Sequence, residues 1–187
     1  MIMSNRLYTW IKKYLFKIDV RSQLEIAISE GLKIGKNVNI QGECIIDPAY
    51  PWLIEIGDNV TLAHRVYILA HDASSKIPLG YSMIGKVIIG NNVFVGANTT
   101  ILPNVSIGNN VVIGAGSVVT HSIPNNSIAA GNPAKVIDKM DSFIQKRKEM
   151  MKTTKVFDKS YSLFEKVSIE KKNEMKNAVN NQKAFIY

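Results

Sequence analysis

The sequence predicts a mainly β chain wound into a parallel β-helix of hexapeptide repeats, with short α-helical flanks at both ends. Three observations carry this reading. Branched aliphatic residues recur every sixth position: Ile34, Ile40, Ile46; then Ile56, Leu62, Ile68; then Ile89, Val95, Ile101, Ile107, Ile113 and Val119. A smaller set follows four residues after each, including Val60, Val66, Val93, Thr99, Val105, Val111 and Ser117. Between the two sets come Gly, as at Gly35, Gly57, Gly90 and Gly108, and Asn, as at Asn37, Asn59, Asn92 and Asn110. Branched aliphatics favour extended backbone and bury well, whereas Asn and Gly accept left-handed backbone and turn corners. Each six-residue unit is therefore one short strand and one corner. Three units close a triangular coil, and stacked coils lie roughly 4.8 Å apart with the aliphatic columns inside. A helix would need a period of 3.6 and a half-buried strand a period of 2.

The elements follow in order. Residues 1–33 are predicted to be a helical cap: Leu7, Trp10, Ile11, Tyr14 and Ile18 share one helical stripe, with Ser4 as N-cap. Such a cap covers the open edge of the first coil, although a basic amphipathic helix also suits peripheral association with a membrane surface. Residues 34–137 form the β-helix. Its rhythm breaks twice. Ile46 to Ile56 spans ten residues, an insert of four around "DPAYPW", and Ile68 to Ile89 spans twenty-one, an excursion loop over 69–86. Solenoids push extra residues outward as loops, and loops on rigid scaffolds carry function. Residues 138–187 are predicted helical in pieces, "DSFIQKRKEMMK" and "IEKKNEMKNA", with a partly disordered polar tail.

Charge follows the same division. The net +8 comes from +3 in residues 1–33, zero in 34–137 and +5 in 138–187. Solvated helix faces, attraction to a polyanion and attraction to an anionic membrane all fit a basic flank. No nucleic-acid motif accompanies it, so no nucleic-acid partner is expected. The chain has no apolar run of eighteen residues and its start lacks a secretory pattern, which points to a cytoplasmic location. The single Cys44 falls in the smaller column and reads as core, with no internal disulfide.

The stretches "IGDNVTLAHRVYILAHDAS", "IGNNVFVGANTTILPNVSIGNNVVIGAGSVVT" and "IPNNSIAAGNPAKVI" resemble the hexapeptide-repeat acyltransferases. The likeness is strongest to the maltose/galactoside O-acetyltransferase type, which includes members acting in capsule and lipopolysaccharide synthesis. The resemblance covers about residues 34–137. It implies a left-handed β-helix, a homotrimer and acetyl-CoA bound between neighbouring prisms. Carried over by motif, it implies His71 in "ILAHD" as the catalytic residue. It implies acetyl-CoA contacts at Ala97, Ala115, Thr120, His121 and Lys135. Two positions depart from the family pattern: Phe94 stands where tryptophan is common, and His121 where lysine is common.

Transfer of acetyl from a thioester to a hydroxyl needs a base for the hydroxyl proton. Histidine suits that task because its ordinary pKa is about 6.5. His71 is therefore the expected general base for direct transfer to a sugar hydroxyl, without an acyl-enzyme. Asp47 is a candidate acceptor contact or, as Asp-Pro, a turn residue. Asp72 and Tyr81 are further acceptor candidates. Other readings remain at this level: an amino-sugar N-acetyltransferase, a non-enzymatic β-helix scaffold, and a γ-class carbonic-anhydrase-like metal enzyme. The last needs three imidazoles on one ion, yet His64 and His121 fall about 11 Å apart along the predicted axis, so no metal is expected.

Overall fold

The computed structural model describes residues 22–162 and 164–187, in two compact units that divide at Asp138/Lys139. The helix expected over residues 4–18 lies outside the described residues. The first unit is a three-sided prism. Its first face stacks Lys33–Ile34, Ile54–Ile56, Val87–Ile89 and Ser106–Ile107. The second stacks Asn39–Ile40, Thr61–Leu62, Val93–Val95, Val111–Ile113, Ser127–Gly131 and Ala134–Lys139. The third stacks Ile45–Ile46, Tyr67–Ile68, Thr100–Ile101 and Val118–Val119. The chain visits faces one, two and three in turn, so each circuit is one coil.

The register matches the six-residue columns. Ile34 pairs with Ile56, which pairs with Ile89, which pairs with Ile107. On face two, Ile40, Leu62, Val95 and Ile113 align; on face three, Ile46, Ile68, Ile101 and Val119 align. These columns and the smaller set are the core: Leu62, Ile68, Val95, Ile101, Ile113, Val60, Val66 and Val105 are all fully buried. Thr99 and Ser117 are buried as well, and each spends its hydroxyl on the Gly114 carbonyl, which removes the cost of a polar atom inside.

The three edges differ chemically. The edge between faces one and two is stitched by an asparagine ladder. Asn37, Asn59, Asn92 and Asn110 each donate from Nδ2 to the Oδ1 of the Asn one coil further on, at 2.9–3.1 Å. All have φ near +55°, a region that Asn tolerates better than most residues. The edge between faces two and three carries small residues, with Gly116 donating to the Ala97 carbonyl at 2.8 Å. The edge between faces three and one is where both breaks in the rhythm leave the prism.

A short helix, Gln23–Ser29, precedes the first coil; Ser22 caps it and exchanges bonds with Glu25 in a capping box. The second unit contains helices Met140–Thr153 and Ile169–Ala178, in the two stretches expected to be helical. Its tail differs from the expectation of disorder. Phe185–Ile186 forms a parallel pair with Val156–Phe157, because "AFIY" is apolar and β-favouring despite the polar run before it. Among the described residues no helix is long and apolar enough to cross a membrane.

Candidate active site

The two inserts emerge from the same edge on successive coils. Residues 47–53 join Ile45–Ile46 to Ile54–Ile56, and residues 69–86 join Tyr67–Ile68 to Val87–Ile89. Asp47 N–H donates to the Ile68 carbonyl at 2.9 Å, so the first insert starts directly against the second. The longer excursion is a hairpin. His71–Asp72 pairs antiparallel with Met83–Ile84, around a short helix, Lys76–Leu79. Gly85 N–H then returns the chain to the Ala70 carbonyl at 2.9 Å.

This junction brings Asp47 and His71 together across 24 residues of sequence, with Nδ1 of His71 2.5 Å from Oδ2 of Asp47. Asp47 is fully buried and His71 is one-third exposed. Both carboxylate oxygens are occupied: Oδ1 accepts from Ala49 N–H at 3.0 Å, and Oδ2 also accepts from Ala70 N–H at 2.8 Å. Burial pushes the Asp47 carboxyl up, but the His71 hydrogen bond and the two backbone N–H groups outweigh it and hold the carboxyl below its ordinary value. An ionised carboxylate only accepts. Nδ1–H therefore donates to Oδ2, which leaves Nε2 as the ring nitrogen for another partner.

The remaining sequence candidates separate. Asp47 departs furthest from its expectation as an acceptor contact: its oxygens are buried and taken by protein donors, His71 among them. The turn reading survives in the Ala49 bond. Asp72 closes a turn of its own; the backbone N–H and side chain of Ser74 hold its carboxyl below the ordinary value. Tyr81 is exposed, and its carbonyl accepts from the Ser75 hydroxyl at 2.8 Å. Thr120 and His121 lie on the same edge as His71 but two coils further along, about 10 Å at the strand spacing, with Thr120 Oγ1 2.7 Å from His121 Nδ1. Ala97 and Ala115 stack on the other edge, between faces two and three, with face three intervening. Lys135 is exposed in the last strand of face two. His64 also stands on the edge between faces two and three, and among the described residues no three metal-ligating side chains come together.

Sequence reasoning missed two aromatic residues of the first insert. Tyr50 packs its ring 5.4 Å from that of His71, and Trp52 meets Tyr50 edge-on at 5.6 Å. Their position inside "DPAYPW", itself one of the two breaks in the repeat, was the available signal.

Comparison with known proteins identifies the family. Residues 86–121 match the family model of the bacterial transferase hexapeptide, six repeats. Protein CapG of Staphylococcus aureus is 38% identical over 152 residues, 78% of this chain and 88% of CapG. The putative acetyltransferase YvoF of Bacillus subtilis is 34% identical over 106 residues, 57% of this chain; the chain spans only 59% of YvoF. Among solved structures, a maltose O-acetyltransferase from Clostridium difficile superposes with a TM-score of 0.51 at 32% identity, over 72% of this chain and 86% of that one. The chain belongs to the hexapeptide-repeat transferases, an acyltransferase family.

Proposed function

We propose that the protein is an acetyl-CoA-dependent O-acetyltransferase acting on a sugar hydroxyl, in the synthesis or modification of a surface polysaccharide. The observation that carries this reading is the Asp47–His71 pair: an imidazole oriented by a buried carboxylate, with Nε2 free to accept, at the edge where both inserts emerge. Nε2 takes the proton of the acceptor hydroxyl as its oxygen attacks the thioester carbonyl. The tetrahedral intermediate collapses, the C–S bond breaks, and the imidazolium returns its proton to the CoA thiolate. Asp47 stabilises the imidazolium between the two steps. Ester and free thiol leave, and the histidine is regenerated.

The division of candidates between two edges supports a site shared by copies of the chain. His71, Thr120 and His121 lie on one edge and Ala97 and Ala115 on another, so a neighbouring copy in a homotrimer supplies the small-residue edge. That edge suits the narrow pantetheine arm: a Cβ on Gly96 would lie 2.5 Å from Ala115 N, so the coils there are already at backbone contact. Family membership supports a left-handed coil, and Lys135 is proposed to hold a CoA phosphate. The protein is proposed to work in the cytoplasm, where acetyl-CoA is made.

The test is a thiol-release screen with acetyl-CoA against sugars, nucleotide sugars and amino sugars. His71→Ala should lose roughly 10²- to 10⁴-fold in kcat on the best acceptor, the span of a general base. Full turnover by that variant would remove His71 as the base, and preference for an amino group would redirect the reading to N-acetylation. Mixing His71→Ala with Ala97→Trp should restore activity in mixed oligomers if the site is shared. No recovery after mixing would argue for a site within one chain.

A further inference from the structure

Trp52 is the exposed aromatic residue of the first insert. It is half exposed, yet it sits in a tight insert between buried Pro51 and the first strand of the second coil. The chain also makes room for it. Gly31, at φ +108°, passes so close that a Cβ there would lie 3.0 Å from the Trp52 Cβ. Tyr50 bridges the indole to the base, with ring steps of 5.4 Å from His71 to Tyr50 and 5.6 Å from Tyr50 to Trp52. The three rings are thus in successive contact, from the proposed proton acceptor to an exposed indole. Each step is about the length of one pyranose unit in a glycan.

The order of the coils places these residues along the prism. Trp52 lies where the first coil passes into the second, on the N-terminal side of His71. Thr120 and His121 lie two coils beyond His71 on the C-terminal side, and Lys135 later still. Thr120, His121 and Lys135 are therefore on the opposite side of the base from Tyr50 and Trp52. The insert itself, residues 47–53, contains no Lys or Arg to meet a phosphate. A flat indole beside hydroxyl chemistry suits a ligand with one apolar CH face and a polar rim.

We infer that Tyr50 and Trp52 form the acceptor platform, and that the acceptor is a glycan of at least two pyranose units: the reacting ring lies by His71 and Tyr50, and the next ring stacks on Trp52. This rests on the O-acetyltransferase reading for the identity of the reacting ring, but its test does not need turnover. The chain has two tryptophans, Trp10 and Trp52, so the Trp10→Phe variant reports on Trp52 alone. Its fluorescence is titrated with one-ring probes (methyl glucoside, methyl galactoside, N-acetylglucosamine) and two-ring probes (maltose, lactose, cellobiose, diacetylchitobiose). At least one two-ring probe should change the signal saturably and bind about tenfold more tightly than its one-ring counterpart, the worth of one good aromatic contact. In calorimetry Trp52→Leu should remove that advantage while leaving one-ring binding within about twofold.

No saturable response to any probe would overturn the platform. So would equal affinity for one and two rings, or a response to CoA or AMP in place of sugar. A two-ring response without thiol release would leave the platform standing and sink the transferase reading. Transfer to a glycan with a silent Trp52 would do the reverse.

Discussion

Replacing Asp47 by Asn is the most informative single change, because the surrounding hydrogen bonds set its size. The carboxylate serves three donors: Ala49 N–H on Oδ1, and Ala70 N–H and His71 Nδ1–H on Oδ2. An amide can keep only one oxygen. With that oxygen at the Oδ1 position, its NH2 group would face both Ala70 N–H and His71. A donor of a fully buried residue would be stranded, at about 1–3 kcal/mol, and the imidazole would be pushed into the wrong tautomer. With the oxygen at the Oδ2 position, Ala70 and His71 keep their acceptor, and the mismatch falls on the N–H of exposed Ala49, which then faces the amide NH2. The second orientation wins. His71 then keeps its hydrogen bond but loses the charge across it. The difference between a charged and a neutral hydrogen bond is about 1–1.5 kcal/mol, or roughly tenfold in rate.

The expected series is therefore graded. Asp47→Asn should lower kcat about tenfold with KM nearly unchanged, since the charge matters only once the imidazole is protonated. Asp47→Ala removes orientation as well and should cost roughly a hundredfold, still short of the full loss of a general base in His71→Ala. Thiol release from acetyl-CoA on the best acceptor measures all three, with circular dichroism confirming the fold. Full kcat in both Asp47 variants would refute the oriented-base argument. A loss confined to KM would refute it too, and would return Asp47 to acceptor binding.

Acidity, corner conformation and coil spacing each carry a testable consequence. The Asp47 carboxyl is held below its ordinary value of 3.8 in the fold, so its stabilising contribution is complete above pH 3.8 and is lost as pH falls through the lower folded value. Acid unfolding below about pH 4 should therefore be less steep in Asp47→Asn than in the wild type, and parallel curves would count against it. Asn92 stands at φ +55° in the ladder. Asn92→Gly should lose only the side-chain bonds, whereas Asn92→Ala adds left-handed strain and should be about 1 kcal/mol less stable in chemical denaturation; equal values would mean the corner relaxes. A Cβ on Gly96 would meet the backbone of Ala115 at 2.5 Å for N and 2.8 Å for Cα. Gly96→Ala should accordingly cost about 1–3 kcal/mol and lower the melting temperature, and an unchanged melting temperature would show that the coils can part without penalty.

Most of the prism was legible in the sequence because the repeat has a fixed phase. Once Ile34, Ile40 and Ile46 are assigned to three faces, every later column follows, and the register of Ile56, Ile89 and Ile107 leaves no freedom. The corners were legible for a related reason, since few side chains tolerate φ near +55°. The pairing of Phe185–Ile186 with Val156–Phe157 was hidden because a lone apolar tetrapeptide after a polar run carries no period. The site was hidden in a more instructive way. His71 announced itself by type and by motif, but the identity of its partner depends on where two aperiodic inserts leave the coil.

The contact of Asp47 with His71 was hidden because local rules are strong at Asp-Pro: a turn accounts for the residue, and the turn is real. Only the stacking of coils reveals that the same carboxylate meets a second insert 24 residues later. Counting the breaks modulo one coil would have found it. Both inserts follow a face-three strand, Ile46 in one coil and Ile68 in the next, so both must exit at one edge, one strand spacing apart. In a solenoid the phase of an interruption is thus as informative as its content. Two interruptions at the same phase on adjacent coils place their first residues within side-chain reach, and here those residues are a carboxylate, an imidazole and the aromatic pair between Asp47 and the next strand.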